Sequence, residues 1–452
     1  MHTHRYLARF IIEAETPLFV GSGQASLLKD ALVQKDCNGF PMINGTSLAG
    51  VLRNALASNE WIDSIFGFAN GDKGNGSLLK VSSAYMLLNE SDVSEGIAEY
   101  RDDKLINKFN NLPSRQHVRI NHKGVAAEKG LFDNEVVYKG VRFVFELELR
   151  GTKNDETSWN SIVNQTQSPN FRIGSGTRNG YGSLKVLKLY NKTFDLTQKS
   201  DFDAYLNFNP SFNAKLDWKE VRSELITNDA FTQYSFILKP DLFFVFSEGF
   251  GDDEADNRPL EEEVAIYRNN TIEFDKQTII PASSIKGAIS HRVAFHYNRI
   301  TEQFADYDKG KTGIDNDAVV ALFGKAGKDN DSKVVDAQAG NVFINDFYFM
   351  DKQISNKKIF NHVAIDRFTG GAMAGALFSE KVSSIGTGNF NFDVFVKLSD
   401  TIDANIVNAF EAALTDICKG LLPLGGMTTK GHGMFTGSVL RNGTKLYNYD
   451  NK

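Results

Sequence analysis

The same landmarks occur twice, in the same order, along the 452 residues of the sequence. A repeat of this length requires each copy to fold as one complete supersecondary unit, which limits the fold more than any single motif does. The first landmark is a β-rich run, a loop and a helix. It reads Phe40-Pro-Met-Ile-Asn-Gly-Thr-Ser-Leu-Ala-Gly-Val-Leu-Arg in one copy and Thr278-Ile-Ile-Pro-Ala-Ser-Ser-Ile-Lys-Gly-Ala-Ile-Ser in the other, Ser47 answering Ser284. Leu48, Val51, Leu52, Ala55 and Leu56 recur at helical spacing, as do Ile285, Ala288, Ile289 and Val293. The hydroxyl of Thr46 or Ser47 is the expected cap of the first helix.

Later landmarks keep the order. Ser64-Ile-Phe-Gly-Phe-Ala matches Ala321-Leu-Phe-Gly-Lys-Ala, and Leu79-Lys-Val-Ser-Ser-Ala-Tyr matches Val342-Phe-Ile-Asn-Asp-Phe-Tyr. His117-Val-Arg-Ile-Asn answers His362-Val-Ala-Ile-Asp, and each is followed by a run that alternates with a period of two, from Val141 and from Phe390. A helix precedes the close of each copy, clearest in Ile406, Phe410, Leu414, Ile417 and Leu421. The copies end on the glycine-rich turns Ile173-Gly-Ser-Gly-Thr-Arg-Asn-Gly-Tyr-Gly and Leu424-Gly-Gly-Met-Thr-Thr-Lys-Gly-His-Gly. Each copy therefore reads as an α+β unit of the βαββαβ kind, giving two tandem ferredoxin-like domains with insertions, residues 1–190 and 232–452. Residues 191–231 have no counterpart and read as a linker ordered against one domain.

Composition narrows the function. Apolar residues make up 41% and Phe alone supplies 35 positions, which excludes a disordered chain. Lys and Arg number 50 against 56 Asp and Glu, a net charge of -6, so any nucleic-acid site must be a local basic patch. Cys37 and Cys418 cannot build a disulfide framework or a multi-cysteine zinc site, and a reducing cytoplasm fits best. Arg9 interrupts the first apolar run, and no stretch approaches the roughly 18 apolar residues of a membrane span, so no membrane partner is expected.

With these residues in view, the chain resembles the RAMP superfamily of CRISPR-associated proteins, specifically the backbone subunits of type III effector complexes, with two copies fused. The resemblance rests on Ser283-Ser-Ile-Lys-Gly, its twin Thr46-Ser-Leu-Ala-Gly, Ile365-Asp-Arg-Phe-Thr-Gly-Gly-Ala and both glycine turns, and it spans the chain except the linker. It implies guide RNA, complementary target RNA and other CRISPR effector subunits as partners. It also implies that a loop aspartate after the first strand cuts target RNA with a divalent metal, Mg in particular, whose ligands the sequence leaves open. That aspartate falls on Asp30. In the second copy the loop from Glu248 to Glu263 is longer and acidic, with Glu263 the counterpart, or Asp256 if the loop carries an insertion.

The residues supply a chemistry of their own. A carboxylate can assist the attack of an RNA 2′-OH on its own phosphodiester once that oxygen is held in line. Helix starts offer unpaired N–H groups to phosphate, which makes Ser47, Ser283 and Ser284 candidates, with Lys286 and Arg53 adding charge. Glycine turns allow close approach of a nucleic-acid backbone, and Arg178 and Lys430 lie within them. Arg115, Arg119 and Arg367 flank the strands that lead into the inserted segment, where Phe368 could stack on a base. The resemblance also implies a third reading: related RAMP proteins that process guide precursors use acid–base residues without metal, which makes His432, or His117, the candidate in a guide-processing endonuclease. The other alternative is a non-catalytic scaffold that holds guide and target.

Overall fold

The structure is a computed structural model that describes residues 2–26, 29–97, 102–168, 171–221, 231–305, 311–325, 328–330, 333–335, 337–349, 354–386, 388–398 and 402–449. Alternation puts Tyr6, Ala8, Phe10, Ile12 and Ala14 of β1 (His4–Ala14) on one buried face. The first domain continues through α1 (Gly45–Ala55), β2 (Leu79–Val81), β3 (Ala84–Met86), α2 (Asp103–Asn110), β4 (Ser114–Ile120), β5 (Ala126–Glu135), β6 (Arg142–Gly151), α3 (Glu156–Thr166) and β7 (Leu184–Asp195). β1 lies between β7 and β6, and both β2 and β3 pair with the far edge of β6. All these pairings are antiparallel, and this is the ferredoxin-like order in which the last strand flanks the first. Leu48 and Leu52 of α1, with Trp159, Ile162 and Val163 of α3, cover one face of the sheet because their helical spacing presents a single apolar stripe.

The second domain repeats the plan with β8 (Thr232–Pro240), β9 (Glu261–Arg268), β10 (Thr271–Ile280), α4 (Ala282–Ile300), β11 (Val342–Ile344), β12 (Phe347–Phe349), β13 (Ile354–Ile365), β14 (Ala372–Ile385), β15 (Phe390–Val396), α5 (Ala404–Cys418) and β16 (Phe435–Arg441). Its sheet runs β11-β15-β8-β16, the same order. Phe10 stacks on Phe145 with centroids 4.8 Å apart in the first domain, and Phe236 stacks on Phe392 at 4.5 Å in the second, each pair directly opposed across β1–β6 or β8–β15. Leu421, expected on the last helix, lies beyond its end and is exposed, because the helix stops at Cys418.

Two antiparallel hairpins rise from these sheets, β4–β5 in the first domain and β13–β14 in the second, and the matched histidines His117 and His362 sit on their first strands. The segment after β7 holds a helix at Lys199–Leu206, and Arg9 donates to the carbonyls of Pro210 and Ser211 at 3.1 and 3.0 Å, which holds this stretch against the first sheet. Residues 222–230 of the expected linker lie outside the described residues.

The β9–β10 arm of the second domain lies across the first. Ala265 donates its N–H to the Lys139 carbonyl at 2.8 Å, Tyr267 donates its hydroxyl to the Leu87 carbonyl at 2.8 Å, and Phe274 meets Tyr138 edge-on at 5.0 Å. Gly140, at φ +88, has the Ala265 carbonyl where a Cβ would stand, so no side chain fits there.

Candidate nucleic-acid interface

Asp30 is exposed at the end of a loop beside the first hairpin. Its carboxylate accepts the backbone N–H of Asp133 on β5 at 3.2 Å, and its own N–H is donated to the Asp133 carboxylate at 3.1 Å. Asp256 does the same in the second domain: its carboxylate accepts the N–H of Ser379 on β14 at 2.7 Å, and its own N–H is donated to the Ser379 hydroxyl at 3.0 Å. The flanking bonds also correspond. Gly21 bridges Val33 as Ser247 bridges Pro259, and Glu135 donates to the Ala31 carbonyl as Lys381 does to that of Asn257.

Asp256 is therefore the structural counterpart of Asp30, and the expectation for Glu263 is corrected. Glu263 belongs to the arm strand β9, and its carboxylate pairs with Lys108 Nζ at 2.5 Å. The arm, absent from the first domain, is the insertion that displaces the match. The N–H of Ser379, followed by its hydroxyl, holds the Asp256 carboxyl below the usual range. The N–H of Asp30 does the same for Asp133, so Asp256 and Asp133 carry charge at neutral pH.

The glycine turns close against the same hairpins. In the first domain His117 Nε2 and the Tyr181 hydroxyl are 2.5 Å apart, and the His117 ring stacks on Phe132 at 5.0 Å. Burial first, then the nearby charge of Arg115, pushes the His117 imidazole down to about 4. In the second domain His432, at the position of Tyr181, reaches the hairpin through a buried carboxylate: Glu380 Oε1 lies 3.1 Å from His432 Nε2 and 2.7 Å from His362 Nε2. His432 is buried at 8% exposure, while His117 is half-buried between the Tyr181 hydroxyl and the Phe132 ring.

Three basic candidates, Arg115, Arg178 and Lys286, bond across the domain junction, and a fourth, Arg53, is tied within its own domain. Arg115 is 5% exposed, with Nε 2.6 Å from Glu262 Oε1 and Nη1 2.5 Å from Asp346 Oδ2, so its fork is filled and its expected RNA contact is corrected. Arg178 donates to the Gly340 carbonyl at 2.6 Å, and Lys286 donates to the Arg178 carbonyl at 2.9 Å. Burial, with Arg178 second, pushes the Lys286 ammonium down to about 8. Arg53 is tied to Asp63 and to the Gly67 carbonyl, each at 2.5 Å.

Ser47 and Ser283 are half-buried and Ser284 is exposed, all in first helical turns. The caps are Asn44 and Pro281, neither with a side-chain bond, so the expected hydroxyl cap is corrected too. Arg119 on β4, Arg367 at the tip of β13–β14 and Lys430 in the second turn remain exposed. Lys430 Nζ stands 4.8 Å from the Phe378 ring centroid, and Phe368 beside Arg367 is 100% exposed. The Asp366 carboxylate shapes that tip by accepting the N–H groups of Phe368 and Thr369 at 2.7 and 3.0 Å.

Sequence reasoning missed Asp133, Tyr181, His362 and Glu380 as parts of this frame. His362 and Tyr181 stood inside matched landmarks and could have been paired by comparing the two turns with the two hairpins. Glu380 has no such signal, since Asn134 takes its place in the β4–β5 register. Among the described residues no three His, Cys, Asp or Glu side chains converge to hold a metal ion. No described helix is long and apolar enough to cross a membrane.

No curated protein matches the sequence. A solved chain described as "Type III-B Cmr-beta Cryo-EM structure of the Apo state" shares 17% identity, covering 40% of this chain and 96% of its own, with a TM-score of 0.31. The family model of the RAMP superfamily matches residues 11–185 and again 234–436, one match per ferredoxin-like unit. The chain belongs to the RAMP superfamily, as two RAMP domains in tandem.

Proposed function

We propose that this protein is a guide-RNA-binding backbone subunit of a type III CRISPR effector complex, in which Asp30 cuts complementary target RNA and Asp256 makes an equivalent second cut. The observation that carries the reading is the repeated aspartate: each domain holds one exposed carboxylate against the second strand of its hairpin by the same pair of bonds. The partner changes from Asp133 to Ser379 between the copies, so the exposed aspartate is what the two loops share.

The start of α1 beside Ser47 receives a backbone phosphate, with Arg119, Arg367 and Lys430 supplying charge along the hairpins, whereas the start of α4 beside Ser283 and Ser284 is engaged by Asp346 at the domain junction. Net negative charge is compatible with this, because the basic strip along the hairpins is local. Phe368 stacks on a base at the tip of the second hairpin. Asp30 orients the 2′-OH and accepts its proton as the oxygen attacks the adjacent phosphorus in line; the bond from phosphorus to the 5′-oxygen of the next nucleotide breaks, leaving a 2′,3′-cyclic phosphate on one fragment and a 5′-OH, protonated from water, on the other.

A divalent cation such as Mg²⁺ fits this set in a limited way. Asp30 Oδ2 is occupied by the Asp133 N–H, which leaves Oδ1 to contribute one ligand, and water and substrate phosphate would supply the rest. When bound, the cation neutralises charge that develops on the phosphate.

The test is to assemble the complex on a defined guide, add end-labelled complementary RNA with magnesium, and map fragments for wild type, Asp30→Ala and Asp256→Ala. Each variant is expected to lose one discrete cut. An unchanged ladder in both would make the chain a scaffold.

A further inference from the structure

The two domains fasten the glycine turn to the hairpin by different chemistry. In the first, His117 Nε2 meets the Tyr181 hydroxyl directly at 2.5 Å. Burial holds the His117 imidazole down at about 4 and pushes the Tyr181 hydroxyl up, so neither group changes charge near neutral pH. In the second, Glu380 stands between the partners, its Oε1 2.7 Å from His362 Nε2 and 3.1 Å from His432 Nε2. Glu380 is 0% exposed, and its other oxygen is buried with no hydrogen-bond partner among the described residues.

Glu380 also lies where the Asp256 loop is held. Consecutive residues of a strand point to opposite faces, so Ser379 and Glu380 of β14 serve different neighbours. On one face Ser379 donates its N–H to the Asp256 carboxylate at 2.7 Å, and its hydroxyl accepts the Asp256 N–H at 3.0 Å. On the other face Glu380 anchors the strand to the turn through His432. The loop is bonded to the strand on both sides of Glu380: Asn257 donates its N–H to the Ser379 carbonyl at 3.2 Å and accepts that of Lys381 at 2.8 Å. A shift of Glu380 therefore moves Ser379 and the carboxylate that Ser379 holds. In the first domain Asn134 takes this place, and His117 reaches the turn without it.

The charged surroundings of Glu380 come from three elements. β13 supplies His362 and Lys358, and the turn supplies His432 and Lys430, the two ammonium groups standing over Phe360 and Phe378 at 4.8 Å each. The Asp256 loop lies across β14, where Lys381 pairs with Asp252 and Glu254. The His362 side chain is 34% exposed, so it exchanges protons with solvent. A neutral imidazole donates one hydrogen bond to Glu380, whereas a protonated one adds an ion pair to a carboxylate that water does not screen. Lower pH thus tightens the second clamp and leaves the first unchanged.

We propose that Glu380 is a positioning residue for the second cutting site, and that its bridge between His362 and His432 makes the second cut sensitive to pH in a range where the first is not. The proposal rests on the reading of Asp256 as the second cutting residue and goes beyond it by naming what holds that residue in place.

The complex assembled on a guide, given end-labelled complementary RNA and magnesium, reports both cuts in one reaction, so their ratio cancels effects common to the two sites. Between about pH 5.5 and about pH 8 the ratio of second to first is expected to fall as pH rises. Glu380→Gln keeps Oε1 as acceptor for both imidazoles but removes the charge, and should flatten the ratio. Glu380→Ala releases the strand and should lower the second rate at saturating RNA by up to about 10²-fold, as a misplacement of about 1 Å does, with the first rate unchanged. The double variant Glu380→Asn, His432→Tyr rebuilds the pair found in the first domain, so it should restore the second cut and keep the ratio flat. A wild-type ratio independent of pH, or a second cut at full rate in Glu380→Ala when Asp256→Ala abolishes it, overturns the proposal. An unchanged ladder in Asp256→Ala overturns the reading of Asp256 itself. Amide exchange at Ser379, whose N–H the Asp256 carboxylate holds, then decides alone whether Glu380 fixes the loop: faster exchange in Glu380→Ala supports it and equal exchange refutes it.

Discussion

The Asp30 carboxylate accepts the Asp133 backbone N–H at 3.2 Å, and Asp30 returns its own N–H to the Asp133 carboxylate at 3.1 Å. The reciprocal pair fixes the loop against the hairpin while leaving one oxygen of Asp30 without a partner among the described residues. Asp30→Asn retains the acceptor oxygen that holds the loop but removes the charge. Cutting at the first position is therefore expected to fall by roughly 10²–10⁴-fold in both Asp30→Ala and Asp30→Asn, the range for loss of a positioned general base. Guide and target affinity should stay unchanged in a filter-binding assay, since Asp30 carries no phosphate contact in this reading.

Arg115 and Asp346 make a prediction about stability. The Asp346 side chain is 0% exposed and its pair with Arg115 is 2.5 Å long, so Arg115→Met leaves a buried carboxylate without its counter-ion. Breaking a buried pair from one side costs about 3–5 kcal/mol. The double variant Arg115→Met, Asp346→Asn keeps the acceptor for the Ala282 N–H and removes the stranded charge, so it should recover a large part of the loss. Urea unfolding of the two single variants and the double variant gives the coupling directly, and additive losses would contradict a shared pair.

His117 predicts a pH dependence of defined sign. Its folded imidazole is pushed down to about 4 from a reference near 6.5, so between these values the unfolded chain binds the proton and the folded protein does not. Stability therefore rises with pH through this window, and the contribution of His117 is lost as pH falls from about 6.5 toward 4. The size is on the order of 2–3 kcal/mol across the window. His117→Gln keeps a polar group opposite the Tyr181 hydroxyl but does not titrate, so its midpoint of thermal unfolding should fall less than the wild type's between pH 7 and about 4. Parallel curves would show that His117 is not the group responsible.

The duplication made the two ferredoxin-like domains legible, because the strand and helix periods that bury Phe10, Phe236, Leu52 and Ile289 are local properties of the sequence. The second aspartate was harder to identify. An inserted hairpin is invisible to a comparison that counts residues, and the acidic run at Glu261, Glu262 and Glu263 drew attention to a strand whose charges serve the junction. The roles of Arg115 and Lys286 were illegible for a related reason. Their partners Asp346 and Arg178 are far away in sequence, and only the docking of one domain on the other tells a buried ion pair from an RNA contact. Arg119 and Arg367, expected as RNA contacts, are exposed on the hairpins without an ion pair among the described residues.

Phe368 tests the hairpin without touching the core. It is fully exposed at the tip, where the Asp366 carboxylate fixes the turn through backbone N–H groups, so Phe368→Ala should leave unfolding within about 0.5 kcal/mol of wild type. An apolar ring held in water has no folding reason to be there. If it stacks on a base, its removal costs about 1–3 kcal/mol of binding, which corresponds to roughly a tenfold to hundredfold loss of target affinity. Phe368→Trp, which keeps a stacking face, should restore it. A fluorescent base analogue scanned along the target would report the contact as quenching at one position in wild type and Trp, and its absence in Ala. Equal affinity and equal quenching in all three would remove the second hairpin from the RNA interface and leave Arg367 and Lys430 without a ligand to serve.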